Sequence, residues 1–177
     1  MRPDLDLLAG WRAGDTAAGD ELVSRYWTSI SRFFRSKVGD DGADLISQTF
    51  LALLESAGPV ENLKAYLFTV ARRRLADHFR AQSRTVDLSV SSVIDLAAGP
   101  ATELSRRRKT DLLRDGLQRI PVDDQIALEL AYVEGLSTKE IAGVLEINEN
   151  TVRSRLARAR ERLRDLVGEL PKEFADL

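Results

Sequence analysis

The sequence predicts an all-α chain of two small helical domains joined by a flexible linker, the C-terminal domain a helix-turn-helix. Three observations carry that expectation. Apolar residues recur at intervals of three and four along most of the chain, which is the period of a one-sided helix. Capping residues, glycine and proline punctuate those stretches at their ends. No run alternates β-branched and polar residues beyond Thr85–Val93, which is too weak to make a strand.

Taken in order, Leu5 to Arg12 forms a short helix. Thr16 to Lys37 forms a longer one, with Leu22, Tyr26, Ile30 and Phe33 along one side. Asp44 to Glu55 makes a third, with Leu45, Thr49, Ala52 and Leu53 at helical spacing, and Gly58-Pro59 interrupts the pattern. Asn62 caps a fourth helix that runs to about Gln82 and sets Leu63, Leu67, Val70, Ala71, Leu75 and Phe79 on its apolar side. From Arg84 to Glu103 periodicity fades, serine, glycine and proline gather, and the charge turns acidic, as in an interdomain linker with room for a short helical turn. Leu104 to Ile120 is the next helix, and Pro121 with Asp123 starts the one that leads to Gly135. The expected divisions are residues 1–84, 85–103 and 104–177.

The stretch from Gly135 to Arg164 is the most specific. Ser137 followed by Glu140 is a capping-box start, in which each side chain satisfies a free amide at the helix end. Ile141, Ala142 and Leu145 then form one buried face, and Glu146 to Asn150 is a short polar turn with two asparagines suited to a turn or a cap. In the second helix Val152, Leu156, Ala159 and Leu163 line one face, while Thr151, Ser154, Arg155 and Arg158 fall on another. Between Asn150 and Arg164 six arginines stand against one acid, Glu161, a local charge of +5 (6 − 1). An apolar back and a cationic, hydroxyl-bearing front suit the DNA major groove, where arginine reads guanine bidentately or holds phosphates.

Composition narrows the classes. The formal net charge is −2, which is unusual for a protein held to DNA by its own charge, but whole-chain charge misleads when it is segregated. Each basic stripe therefore sits beside acidic surface, and the chain is expected to bind duplex DNA weakly alone and better with a partner. No apolar run approaches the roughly 18 residues needed to span a bilayer, so membrane insertion is not expected. The start has no apolar signal core, and there is no cysteine, which fits the cytoplasm. His78, the one histidine, has no nearby partner ligands and makes no metal site. Without a nucleophile–base set, a phosphate loop or a ligand cluster, neither an enzyme nor a cofactor is expected.

Three motifs in order carry a family resemblance: LLAGWRAGDTAAGDELVSRYWTSISRFF; DLISQTFLALL followed by AYLFTVARRRLADHFR; and the helix-turn-helix ending in TVRSRLARARERL. The chain resembles the extracytoplasmic-function sigma factors, the small two-domain promoter-recognition subunits of bacterial RNA polymerase. The resemblance covers roughly residues 5 to 167. It implies an N-terminal domain that docks on the β′ clamp helices of core RNA polymerase and opens and reads the −10 element. It implies a C-terminal domain that sits on the β flap and reads the −35 element of promoter DNA as duplex. A stand-alone helix-turn-helix regulator is the competing reading, and it leaves the first 84 residues unexplained.

Residue by residue, the resemblance makes the Asp44 helix the polymerase-binding segment, with Asp44, Leu45, Gln48, Thr49 and Leu51 as candidates. A mixed polar and apolar helix face with a carboxylate at its start suits docking against a basic coiled coil. Leu45, Phe50 and Leu53 read more simply as core. The family's usual Gln-Glu pair is here Ser47-Gln48, so one customary acidic contact is missing. For the −10 element the candidates are Asn62, Tyr66, Arg72, Arg73, Arg74, Asp77 and Arg80, with the Glu55 to Leu63 loop as the pocket for a flipped base. Exposed aromatics and arginines give single-stranded DNA a face to stack on and charge for its backbone. Tyr66 stands where the family often has tryptophan and reads equally well as core. Arg73 replaces a common asparagine, and the loop is shorter than in some members. For the −35 element the candidates are Thr151, Arg153, Ser154, Arg155 and Arg158, with Arg160, Arg162 and Arg164 facing solvent or backbone. Glu146 and Asn150 stand where the family favours glycine, and asparagine tolerates a left-handed backbone better than glutamate does. The sequence ends shortly after the last helix, so control by a separate anti-sigma factor is expected rather than by an extension.

Overall fold

The computed structural model describes residues 2–56, 58, 60–82, 87–89, 91–93 and 109–168. The described residues are helical, with one isolated bridge between Ser92 and Pro121 and no strand among them. They fall into two compact units, Met1–Leu75 and Ala76–Leu177, with the boundary inside one helix.

In the first unit α1 (Asp4–Arg12) and α2 (Thr16–Val38) are joined by a tight turn in which the Asp15 carboxylate accepts the Ala18 amide at 3.1 Å. Gly19 allows the two helices to approach, because a Cβ there would lie 2.5 Å from the Trp11 ring. Asp4 receives both Arg25 and the Tyr26 hydroxyl, which ties the start of α1 to the middle of α2. A 3₁₀ turn (Gly39–Gly42) leads into α3 (Ala43–Glu55), and α4 (Leu63–Gln82) follows after a short loop. The core is apolar. Leu22, Ile30, Phe33, Phe34, Leu53, Leu67, Phe68 and Leu75 are fully buried, with the Phe33 and Phe68 rings edge to face at 5.6 Å.

The second unit holds the end of α4 and then α5 (Lys109–Arg119), α6 (Val122–Leu128), α7 (Thr138–Leu145) and α8 (Glu149–Val167). A π-turn over Glu129–Val133 extends α6 toward Gly135. Every residue of α6 is buried. Close packing of α5 on α8 depends on Gly116, where a Cβ would meet Val167 Cγ1 at 2.5 Å and Leu163 Cδ1 at 2.9 Å.

The helices follow the apolar periodicity to within a residue or two, as expected where one face must be buried. The expected helix from Leu104 lies outside the described residues up to position 108, as do residues 94–103 of the linker. The described part of that linker is not loose chain. Val122 and Asp123, whose amides have no partner within α6, donate to Ser91 O at 2.9 Å and Leu88 O at 2.8 Å. Leu88, Ser92 and Val93 are buried. The segment therefore caps α6, and the second unit starts before position 104. A Leu88→Ala variant is expected to lose about 2 kcal/mol or more in urea unfolding of the whole chain. No loss would mean that Leu88 does not hold the described part of the linker on α6.

Candidate nucleic-acid interface

The helix-turn-helix is built locally. Ser137 and Glu140 complete the capping box at the start of α7, with the Ser137 amide donating to Glu140 Oε2 at 2.6 Å. Ile141, Val144 and Leu145 are buried beneath it. The turn that follows is made by Glu146 in the left-handed region at φ 58, a conformation that costs a glutamate roughly 1–2 kcal/mol. Asn148, not Asn150, caps α8, its Oδ1 accepting the Thr151 amide at 2.8 Å. Thr138 Oγ1 donates to Glu149 Oε1 at 2.7 Å, which joins the start of α7 to the start of α8.

On α8, Val152, Leu156, Ala159 and Leu163 are buried, and the candidate residues divide by their surroundings. Ser154 and Arg158 are exposed and lie one turn apart on one side. Arg158 forms no hydrogen bond or ion pair among the described residues. Arg153 is exposed, pairs with Glu149 and donates to Asn150 Oδ1 at 2.9 Å. Thr151 is half-buried, and its hydroxyl donates to Asn148 Oδ1 at 2.9 Å.

Arg155 stands apart from these. Its side chain is only 12% exposed and lies 3.6 Å from Asp123 and 3.4 Å from Asp124, two buried carboxylates in the first turn of α6. It is placed for packing α8 on α6 rather than for reaching DNA. Arg162 joins the cluster, with Nη1 at 2.5 Å from Asp124 Oδ2, and Arg160 donates to the Tyr132 hydroxyl at 3.0 Å. Arg162 nonetheless stays about half exposed, within the solvent or backbone role expected of it, and Arg160 is half-buried. Burial pushes the Asp124 carboxyl above the usual carboxylate range, against the opposing pull of Arg155 and Arg162. This cluster was missed from the sequence. Its signal is two acids opening an otherwise apolar segment, because buried carboxylates require cations.

In the first unit, Asp44, Gln48 and Leu51 are exposed along one face of α3, and Leu51 is half exposed at 51%. Leu45 is buried, as its simpler reading as core has it, and Thr49, a candidate beside the exposed three, is buried too, its hydroxyl donating to Leu45 O at 2.7 Å. The helical period turns these two toward the core while 44, 48 and 51 face out. On α4, Asn62 caps the helix by accepting the Ala65 amide at 2.9 Å. Tyr66 is half-buried, which fits neither a core residue nor a fully free one. Arg73 is exposed, and Arg72 and Arg74 are half-buried. Farther along, Asp77 and Arg80 are exposed and pair with each other at 2.8 Å.

The fold and these faces define a helix-turn-helix DNA-binding protein built in two regions. The chain matches the family model for Sigma-70 region 2 over residues 20–85 and the model for Sigma-70, region 4 over residues 110–163. It is 30% identical to the ECF RNA polymerase sigma factor SigM of Mycobacterium tuberculosis, over 96% of this chain and 87% of that one. It is 26% identical to the ECF RNA polymerase sigma factor BldN of Streptomyces coelicolor over 88% of this chain, and spans only 62% of that protein's length. Its fold is shared with RpoE of Bartonella quintana, solved in complex with the anti-sigma factor NepR. That match has TM-score 0.63 at 24% identity and covers 83% of this chain and 94% of that one. The chain belongs to the extracytoplasmic-function group of the sigma-70 family, the promoter-directing subunits of RNA polymerase.

The two kinds of arginine separate experimentally. Arg155→Ala is expected to destabilise the chain by about 3 kcal/mol at neutral pH, because it strips a cation from two buried carboxylates. Arg153→Ala, at an exposed pair, stays within about 0.5 kcal/mol of the parent. A carboxyl whose folded pKa is raised binds its proton more readily folded than unfolded, so its contribution falls as pH rises through that interval. Losing Arg155 raises the folded value further. The deficit of Arg155→Ala is therefore largest at neutral pH and shrinks on acidification, as urea unfolding across a pH series will show.

Proposed function

We propose that this chain docks on core RNA polymerase through the outer face of α3, opens and reads the −10 element with α4 and the loop before it, and reads the −35 element as duplex with α8. The observation that carries this reading is the presence of both sigma-70 regions in one chain, in order. In this reading residues 1–84 act at the polymerase clamp and the −10 element, and residues 104–177 at the β flap and the −35 element. Asp44, Gln48 and Leu51 supply the docking face, which is supported by their shared exposure. Tyr66 and the Arg72–Arg74 run supply stacking and backbone charge to the separated strand, offsetting a few kcal/mol of lost base stacking. Arg158 and Ser154 supply the base-reading side of α8, with Arg153 beside them.

The chain acts in the cytoplasm and carries no chemistry of its own. No described helix is long and apolar enough to cross a membrane, and the sigma-70 family is not a class of enzymes. The proposed regulator is a separate anti-sigma protein, a reading supported by the relative solved with NepR.

Reconstituted transcription tests the reading. The free chain is expected to bind promoter duplex poorly, and core polymerase to convert it to tight, salt-sensitive, promoter-directed initiation. With that holoenzyme, Arg158→Ala costs about 1–3 kcal/mol at one −35 position and relaxes the preference there. Nanomolar sequence-specific binding by the free chain at physiological salt would contradict the proposal.

A further inference from the structure

The loop between α3 and α4 is fastened at its start by a residue that belongs to neither helix. Arg12, in the last turn of α1, reaches across to the C-terminal end of α3. Its Nη2 donates to Leu53 O at 3.2 Å and also to the Ser56 hydroxyl, and Ser56 Oγ in turn donates to Leu53 O at 2.9 Å. Leu53 O is one of the last four carbonyls of α3 and has no amide partner within the helix. A guanidinium at that end also meets the negative pole of the helix dipole. At Ser56 the backbone turns from helical to extended, φ −65 and ψ 123, so the Arg12 contact sits where the chain changes direction. The far end is set independently by Asn62, whose side chain caps α4.

We propose that Arg12 is a positioning residue for −10 recognition: it fixes the direction in which the chain leaves α3 and enters the loop assigned to the flipped base. The inference rests on the assignment of this loop to the −10 element. Both contacts come from the single nitrogen Nη2, so lysine, with the same charge on a stem one atom shorter, restores the cation at the helix end but not the same reach. Arg12 itself touches no DNA in this account, so its loss changes discrimination rather than the charge available to the backbone.

The experiment compares holoenzymes made with the parent chain, Arg12→Ala, Arg12→Lys and Ser56→Ala. Each is measured for open-complex formation on a parent promoter, on single-base −10 substitutions and on single-base −35 substitutions, beside core-polymerase affinity and melting temperature. Arg12→Ala is expected to lower the −10 discrimination ratio at least threefold while leaving the −35 ratios and polymerase affinity unchanged. Ser56→Ala moves the same ratio in the same direction by less, and Arg12→Lys recovers part of it. Arg12→Ala that lowers initiation equally on every promoter, in step with a lowered melting temperature, would reduce Arg12 to fold support and overturn the inference. An unchanged −10 ratio in Arg12→Ala, with the parent still discriminating, overturns it too. A parent holoenzyme that ignores the −10 substitutions would instead overturn the assignment of the loop.

Discussion

The acidic pair Asp123–Asp124 constrains the rest of the DNA-binding unit. These carboxylates lie in the first turn of a helix buried on every side, and a buried charge is tolerated only with a cation and good geometry. Arg155 and Arg162 are seven residues apart, two turns on the same side of α8, and both point at Asp124. Their spacing fixes the rotation of α8 about its own axis. Given that rotation and the buried row Val152, Leu156, Ala159 and Leu163, Ser154 and Arg158 must face outward. An ion cluster of this kind adds little net stability, since desolvation consumes much of the Coulomb gain. What it supplies is orientation: an arginine-rich helix that has a defined front.

The same division of labour runs through the first unit. α3 turns Leu45, Thr49 and Leu53 into the core and leaves Asp44, Gln48 and Leu51 outside, so one helix both holds the fold and presents a surface. Its two ends are not equivalent. The start follows the Gly39–Gly42 turn, whereas the end is tied by Arg12 to a helix more than forty residues earlier in the chain. Geometry at the loop is therefore set from outside the elements that flank it. The tie between Asp4 and Arg25–Tyr26 keeps α1 itself in place on α2.

Most of the helices were legible in the sequence because their information is one-dimensional: a period, a cap, a breaker. Ser137 and Glu140 announce a capping box, and the structure has it. What escaped was set by partners distant along the chain. Arg155 has the same residue type and the same local neighbourhood as Arg153 and Arg158, and only its position relative to an acidic pair thirty residues earlier turns it inward. The linker looked loose because serine and acidic residues lower local periodicity, yet two of its carbonyls answer the free amides of α6. Glu146 illustrates the reverse: a glutamate at a family glycine position marks strain, and the backbone there is left-handed as that departure implies.

The claim that Asp124 and Arg155 together set α8 is tested most directly by a double-mutant cycle. Asp124→Asn, Arg155→Met and the double variant are unfolded in urea beside the parent at neutral pH. A coupling energy of about 1–3 kcal/mol is expected, because each single change removes one opposing charge from a buried partner and leaves only Arg162 to balance Asp124, or only Asp123 to balance Arg155. Additive losses, with coupling below about 0.3 kcal/mol, would contradict it and show that this pair does not set the orientation of α8.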